Sequence, residues 1–556
     1  MKKIIPILIA AVLIVVIAAV SLGAKVLERF SYSEERRDLN AYFELSAADE
    51  VALVMNHERM EEKGKMQGGF CYLDLNTVHT YLNDRFYVDY NEGLLLYSLP
   101  DTTVSVVLGE VGPDGYVPVF LQEETAYIAL DYVKKFTNFS FALYQDPHRA
   151  VISTVWPEET VADIKKDTEV RYQGGVKSDI LTDLVKGDKI TVLETLENWS
   201  KVVTADGFIG YVENKRLDNQ RTESKIPVTD YVEPEYTSIR RDYRINLGWH
   251  QVISETANAT LDAALSGVTG MNVISPTWFF LSDNEGGFVS IGSRSYVESA
   301  HSKGLEVWAL LDNFTYNVDS KAILSYTSKR TRLISGLISK SLELGVDGIN
   351  VDLEQIPENA GQDYIQFLRE LSIQCRANGL VLSVDNYVPK HYNAHYYWKE
   401  QGVVADYVII MGYDEHYGGS QTAGSVASIG FVEEGIRTMA SLVPAEKIVN
   451  AVPFYTRIWK TENGSVSSQA VGMSTAEQFL ASRGVSAVWD ESTCQNYAEF
   501  TEGGSFYQVW LEDAKSMETR MNIMRKYGIG GVAAWKLGYE SGHPEIWSVL
   551  YGFTYE

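Results

Sequence analysis

Asp352 and Glu354 lie two residues apart in V-D-G-I-N-V-D-L-E-Q, residues 346–355, and Asn350 stands two residues before them. In an extended strand alternate side chains share a face, so Asn350, Asp352 and Glu354 point one way while Ile349, Val351 and Leu353 point the other. Unpaired ions on a covered face cost several kcal/mol each, so such a row is either a dense polar network or an active site. Two acids this close share one field. Ionisation of Asp352 raises the pKa of Glu354 and keeps a proton available near neutral pH, the condition for general-acid chemistry.

The flanking sequence says what must position these acids. Apolar residues recur at helical spacing before the stretch (Leu333, Ile334, Leu337, Ile338) and after it (Tyr364, Ile365, Phe367, Leu368, Leu371). A strand between two helices belongs to a parallel sheet covered on both faces. Strand-like segments alternate with helical ones from Ile245 to the end of the chain: 245–252, 272–281, 306–312, 348–354, 380–386, 407–413, 448–455 and 531–535. Eight such strands predict a (β/α)8 barrel; an open doubly wound sheet is the rival, but no Gly-rich phosphate loop follows the first strand.

A barrel carries its chemistry at the C-terminal ends of its strands. Those ends offer Asp352 and Glu354 on the fourth strand, Asp385 and Asn386 on the fifth, Tyr413 and Asp414 on the sixth, Tyr455 and Arg457 after the seventh, and Trp535 on the eighth. Acids, tyrosines and tryptophans converging on one mouth suit a sugar, whose ring faces stack on aromatics while its hydroxyls bond to carboxylates. His250 and His416 stand singly, so no metal and no cofactor is expected.

D-G-I-N-V-D-L-E resembles the D-x-x-D-x-D-x-E signature of glycoside hydrolase family 18, and M-G-Y-D at 411, P-F-Y-T-R at 453 and W-K-L-G-Y-E at 535 look like that family at the matching strands. The wording of G-W-H-Q-V and of the last two motifs is similar to its spore-cortex, peptidoglycan-acting branch. The resemblance implies substrate-assisted cleavage beside N-acetylglucosamine, in which the substrate's own acetamido oxygen replaces a protein nucleophile. It implies Glu354 as general acid, Asp352 as the residue that orients the acetamido group and stabilises the oxazolinium, and Tyr413 as a donor to the acetamido carbonyl. Trp535 would floor the sugar site. Asn350, Asp347, Met411, Asp414, Tyr455, Arg457, Trp249 and Asn386 complete the expected substrate-binding set. One position departs: Asn350 stands where the family has a second aspartate. It is expected to hydrogen-bond Asp352 without accepting its proton.

The remaining sequence reads as delivery. Residues 1–24 hold Lys2, Lys3 and an apolar run from Ile4 to Leu22, a membrane-targeting segment expected to remain as an anchor. Residues 25–65 read as a charged juxtamembrane spacer. Residues 66–160 contain two similar blocks, from Cys71 and from Ala126, which pair Tyr72 with Tyr127 and Leu75 with Leu130; they resemble the duplicated α+β stalk domain of copper amine oxidases, without copper ligands. Residues 165–218 resemble a small all-β bacterial SH3 domain, 219–240 form a linker, and 241–556 the barrel. Net charge of -26 excludes nucleic acid as a partner, and three widely spaced cysteines build no disulfide framework. The expected protein is multidomain and extracytoplasmic, either held to the membrane by its anchor or, if the segment is cleaved, secreted to the cell wall, which its SH3-like domain would bind. It would act on peptidoglycan or a chitin-like glycan. A secreted chitinase and a catalytically silent wall-binding protein are the alternatives.

Overall fold

The computed structural model describes residues 5–227 and 229–556. Its chain contacts divide into two units, Met1–Phe86 with Val106–Glu233 and Tyr87–Ser105 with Pro234–Glu556.

The second unit holds the barrel. Its parallel strands are β1 (Ile245–His250), β2 (Val273–Leu281), β3 (Glu306–Asp312), β4 (Gly348–Asp352), β5 (Val381–Tyr387), β6 (Tyr407–Met411), β7 (Ile448–Pro453) and β8 (Gly531–Trp535). Pairing runs in sequence order, and β1 pairs with both β2 and β8, so the sheet is closed. All eight strands expected from the sequence are present. The interior follows the period of two: Leu247 and Trp249, Trp308 and Leu310, Tyr407 and Ile409, Val449 and Ala451 form one buried inner cluster. Trp308 and Tyr407 stack at 5.3 Å and fill the lower part of the barrel, which leaves room only toward the C-terminal ends. The outer core is larger and joins Leu333, Leu337, Tyr364, Phe367, Leu368 and Leu371 to the outward faces of the strands, including Ile349 and Val351.

Between β7 and β8 the chain inserts a five-stranded antiparallel sheet with one helix, Met473–Ala481, built around Val471, Ala476, Leu480, Ala498 and Val509. Tyr455 and Arg457 lie on the first strand of this insertion.

A segment distant in sequence completes the barrel unit. The hairpin Tyr87–Asp89 and Leu94–Ser98 packs on the helices Thr327–Leu344 and Gly361–Ala377. The first of these helices has no side-chain cap of its own at Tyr326. Asp89 supplies one, accepting from Thr327 N and Thr327 Oγ1 at 2.7 Å each. Tyr87 donates to Asp363 at 2.6 Å, and the fully buried Arg330, held bidentately by Glu370, donates to the Tyr87 hydroxyl at 3.2 Å. The barrel expected over 241–556 therefore draws on residues 87–105, which the sequence assigns to the stalk. No local pattern marks this, because the helices that need the hairpin lie more than two hundred positions away.

In the first unit the two similar blocks give a strand and a helix each, Phe70–Asp74 with Leu75–Tyr81 and Thr125–Ala129 with Leu130–Val133. Their strands pair antiparallel with Leu73 opposite Ile128, residues related by the same offset as Tyr72 and Tyr127. Equivalent residues face each other at the centre of the pair, as a local two-fold requires. The span read as a spacer is largely folded. Glu50–Met55 and Glu58–Gln67 form a hairpin inside the sheet, and Tyr42 and Phe43 are buried in the core shared by Val170, Leu181, Val202 and Val212 of the SH3-like strands. Its charges misled because Glu58–Gln67 is a strand left mostly open to solvent, while its partner V-A-L-V-M is buried. The anchor expected over 1–24 lies partly outside the described residues. Ile5–Phe30 is helical, and among the described residues no helix is long and apolar enough to cross a membrane.

Candidate active site

At the C-terminal mouth of the barrel lies a cavity of about 430 Å³. Asp352, Glu354, Asp385, Asp312 and Asp414 line it together with Tyr387, Tyr413, Tyr455, Trp249 and Trp535, and none of its lining residues is basic. With no cation among the lining residues, burial is the first cause that pushes Asp352, Glu354, Asp385 and Asp312 above the usual carboxylate range.

Glu354 follows the end of β4 and is fixed by its backbone. Asn313, just beyond β3, accepts from Glu354 N at 2.9 Å and donates to Glu354 O at 2.8 Å. The Glu354 side chain is half-buried, and its Oε2 accepts a 2.5 Å hydrogen bond from the Tyr387 hydroxyl. Burial raises its pKa; the Tyr387 bond opposes this, and the fields of Asp414 and Asp312 add to the rise. A proton is thus retained above the ordinary glutamic range. Asp352 is buried, with its Oδ1 inaccessible and without a partner. Its pKa stands well above the usual value, first through burial and then through the fields of Asp385, Glu354 and Asp312. An unsatisfied buried polar atom costs about 1–3 kcal/mol, and more for a charged group, so its presence at the mouth of a cavity points to a role in binding or catalysis.

Asn350 is placed differently from expectation. Its Oδ1 accepts from Trp249 Nε1 at 2.9 Å and Ser275 Oγ at 3.1 Å, and its Nδ2 donates to Asp385 Oδ1 at 2.8 Å and Ser383 Oγ at 3.1 Å. Two donors and two acceptor contacts use the full capacity of the amide, and Asp352 is not among its partners. Trp249 therefore lines the cavity as a fixed wall, 5.9 Å from Trp535 between ring centres. Tyr455 donates to Asp414 Oδ1 at 2.6 Å and packs edge-on against Tyr413.

Of the residues expected from sequence, the cavity brings together Glu354, Asp352, Tyr413, Trp535, Met411, Asp414, Tyr455 and Trp249, with Asn350 directly behind. Three stand elsewhere. Asp347 precedes β4 at the far end of the strand, where its Oδ2 bonds His301 at 2.8 Å and accepts from Val307 N at 2.7 Å. Asn386 has the outward parity of β5 and exchanges amide hydrogen bonds with Gln401. Arg457 lies on the insertion and donates to Ser468 Oγ at 3.1 Å. Asp312, Asn313 and Tyr387 were not singled out from sequence. Parity from Ser383 gives Asp385 and Tyr387 as inward residues; Asn313 had no signal.

Tyr387 offers a direct check on how the acid is tuned. Its hydroxyl favours the ionised form of Glu354, so Tyr387→Phe raises the Glu354 pKa further. If Glu354 is the general acid expected from sequence, the alkaline limb of kcat/KM is expected to move to higher pH in this variant. A limb at unchanged or lower pH, measured on the same substrate, contradicts the assignment of that limb to Glu354.

The family described as "Glycosyl hydrolases family 18" matches residues 292–540, and "Bacterial SH3 domain" matches residues 166–218. The cortical fragment-lytic enzyme of Bacillus anthracis is 26% identical over 251 residues, 43% of this chain and 57% of that protein, so the chain spans little more than half of such a relative's length. The crystal structure of the Bacillus cereus spore cortex-lytic enzyme SleL superposes with a TM-score of 0.50 at 21% identity, covering 59% of this chain and 78% of that one. That of a chitinase from Chromobacterium violaceum gives 0.50 at 20% identity, covering 56% and 99%. At these identities the likeness is one of fold. The chain thus carries a glycosyl hydrolase family 18 domain on a (β/α)8 barrel, preceded in sequence by a bacterial SH3 domain.

Proposed function

We propose that the protein is a retaining glycoside hydrolase that cleaves β-linked N-acetylglucosamine in peptidoglycan. The observation that carries this reading is the pair at the end of β4: a half-buried Glu354 whose pKa is raised, beside a buried Asp352 with an unpartnered oxygen. In the first step Glu354 gives its proton to the glycosidic oxygen as the C1–O bond breaks. The acetamido carbonyl oxygen of the substrate closes onto C1 from the other side. Asp352 accepts a hydrogen bond from the acetamido N–H and balances the positive charge of the oxazolinium ring. Tyr413 donates to the acetamido oxygen, and Trp535 supports the sugar face. In the second step water attacks C1 and returns a proton to Glu354, which restores both acids.

Peptidoglycan is favoured over chitin by the cortex-lytic activity for which the relatives are named and by the SH3 domain ahead of the barrel. The silent-binder alternative rested on Asn350, and the hydrogen bonds of that residue leave the two acids untouched. Export, with the N-terminal apolar run as the targeting segment, belongs to the same proposal.

The test is digestion of purified vegetative wall, spore cortex and N-acetylglucosamine oligomers by the full chain, with products identified by mass spectrometry. Release from peptidoglycan of fragments with N-acetylglucosamine at the new reducing end is expected. Cleavage confined to the oligomers identifies a chitinase instead, and intact glycan in all three digests refutes hydrolysis.

A further inference from the structure

The substitution of asparagine at position 350 removes an acid from the inner face of β4, and the neighbouring strand carries one instead. Asp385 lies on β5, faces the same cavity as Asp352 and is almost fully buried. The amide of Asn350 points its Nδ2 at Asp385 Oδ1, while Trp249 and Ser275 hold its carbonyl from the other side. Asn350 is thereby oriented toward Asp385 and away from any exchange with Asp352. Asp352 is left with a buried oxygen that no other described group bonds.

We propose that Asp385 is the proton partner of Asp352, a positioning residue that takes up on β5 the proton that Asp352 releases when the acetamido group of the substrate binds. The proposal rests on the glycosidase reading above. In the free protein one proton is shared between the two carboxyls, which together carry a single negative charge. When the acetamido N–H reaches Asp352, the shared proton moves to Asp385, so Asp352 carries the whole charge and faces the forming oxazolinium. It returns when the ring is opened by water. No proton is gained or lost by the pair, and Glu354 alone serves the leaving oxygen.

The surroundings favour such sharing. Facing Asp385 are Asp352 and Glu354 from β4, Tyr413 from beyond β6 and Tyr364 from the helix behind, and Asn350 donates the one hydrogen bond that favours its ionised form. Burial pushes Asp385 up to about 8, and of the charged neighbours of Asp352 it acts most strongly. Two like charges in one dry site cannot both ionise near neutrality, so one proton stays with the pair.

The experiment compares wild type, Asp385→Asn and the exchanged pair Asn350→Asp/Asp385→Asn in the full chain, on an N-acetylglucosamine oligomer. Asp385→Asn is expected to lower kcat about 100-fold, the scale of a lost proton-transfer partner, with KM changed by less than about threefold. The exchanged pair keeps one acid and one amide across the same hydrogen bond and is expected to recover to within about tenfold of wild type. Wild-type kcat and an unchanged pH profile in Asp385→Asn overturn the proposal, as does an exchanged pair that is folded by thermal denaturation yet no faster than the single variant. Infrared titration of the substrate-free protein reads the same proton without turnover. A second protonated carboxyl band, besides that of Glu354, that persists near pH 7 in wild type and is lost in Asp385→Asn supports the pair. If that result came from a protein that cleaves no glycan, the glycosidase reading alone would fail; a band insensitive to the substitution overturns the pair itself.

Discussion

Glu354→Gln is expected to lower kcat on peptidoglycan or N-acetylglucosamine oligomers by a factor of about 10² to 10⁴, the contribution of a placed general acid. The substitution keeps the shape of the side chain and the backbone hydrogen bonds to Asn313, so folding and KM should change little. What it removes is the proton. Gln cannot give one to a glycosidic oxygen, and no other acid in the cavity is placed to replace it. Asp352 and Asp385 are both buried, Asp312 is buried and accepts from Thr315, and Asp414 is turned toward Tyr455. Substrates with a good leaving group, which depart without protonation, should be rescued relative to the natural glycan. Equal turnover of wild type and variant on the natural glycan would remove Glu354 from the mechanism.

The second large effect is on stability. A chain that begins at residue 234 contains every barrel strand, yet it should be far less stable than the full protein. Without residues 87–105 the helix Thr327–Leu344 loses the Asp89 cap, Ser328 N loses the Glu92 carboxylate at 2.9 Å, and Gln366 loses Ser98 Oγ at 3.0 Å. Leu95, Leu96 and Tyr97, all buried, leave with the hairpin. Each buried large side chain contributes roughly 1.5–3 kcal/mol and each cap roughly 0.5–2 kcal/mol, so the sum rivals the whole stability of an ordinary domain. Insolubility or a broad, low-temperature transition is expected for the truncated chain. Asp89→Ala in the full chain isolates the cap and should lower Tm by several degrees without changing KM, since the cap is remote from the cavity. A truncated barrel with the melting profile of the full chain would show that the hairpin is dispensable.

The two effects also mark what could be read in the sequence. Each barrel strand was legible because an apolar run of strand length stood between helical periodicities, and most residues lining the cavity were legible because their motifs sit at strand ends. The errors have separate physical causes. Asn386 stood among the expected binding residues, although it is Asp385 that lines the cavity, because the strand end reads as a pair; alternation from Ser383 decides between them. Asp347 shares the signature but lies at the opposite rim of the barrel, a strand's length from Glu354. Asn350 was expected to serve Asp352 by proximity along β4, whereas the inner face of a barrel brings neighbouring strands closer than successive inward residues of one strand. The hairpin at 87–105 was beyond reach, since nothing local in either partner declares the need for the other.

The central claim is that the substrate's acetamido group, with Asp352 beneath it and Glu354 above, takes the place of a protein nucleophile. Its most direct measurement is proton NMR of an N-acetylglucosamine oligomer in the first minutes of digestion by the full chain, before the new reducing ends mutarotate. Closure of the acetamido oxygen onto C1 and its later displacement by water invert the centre twice, so the β-anomer should appear first. Initial appearance of the α-anomer would mean a single displacement by water and would contradict the account.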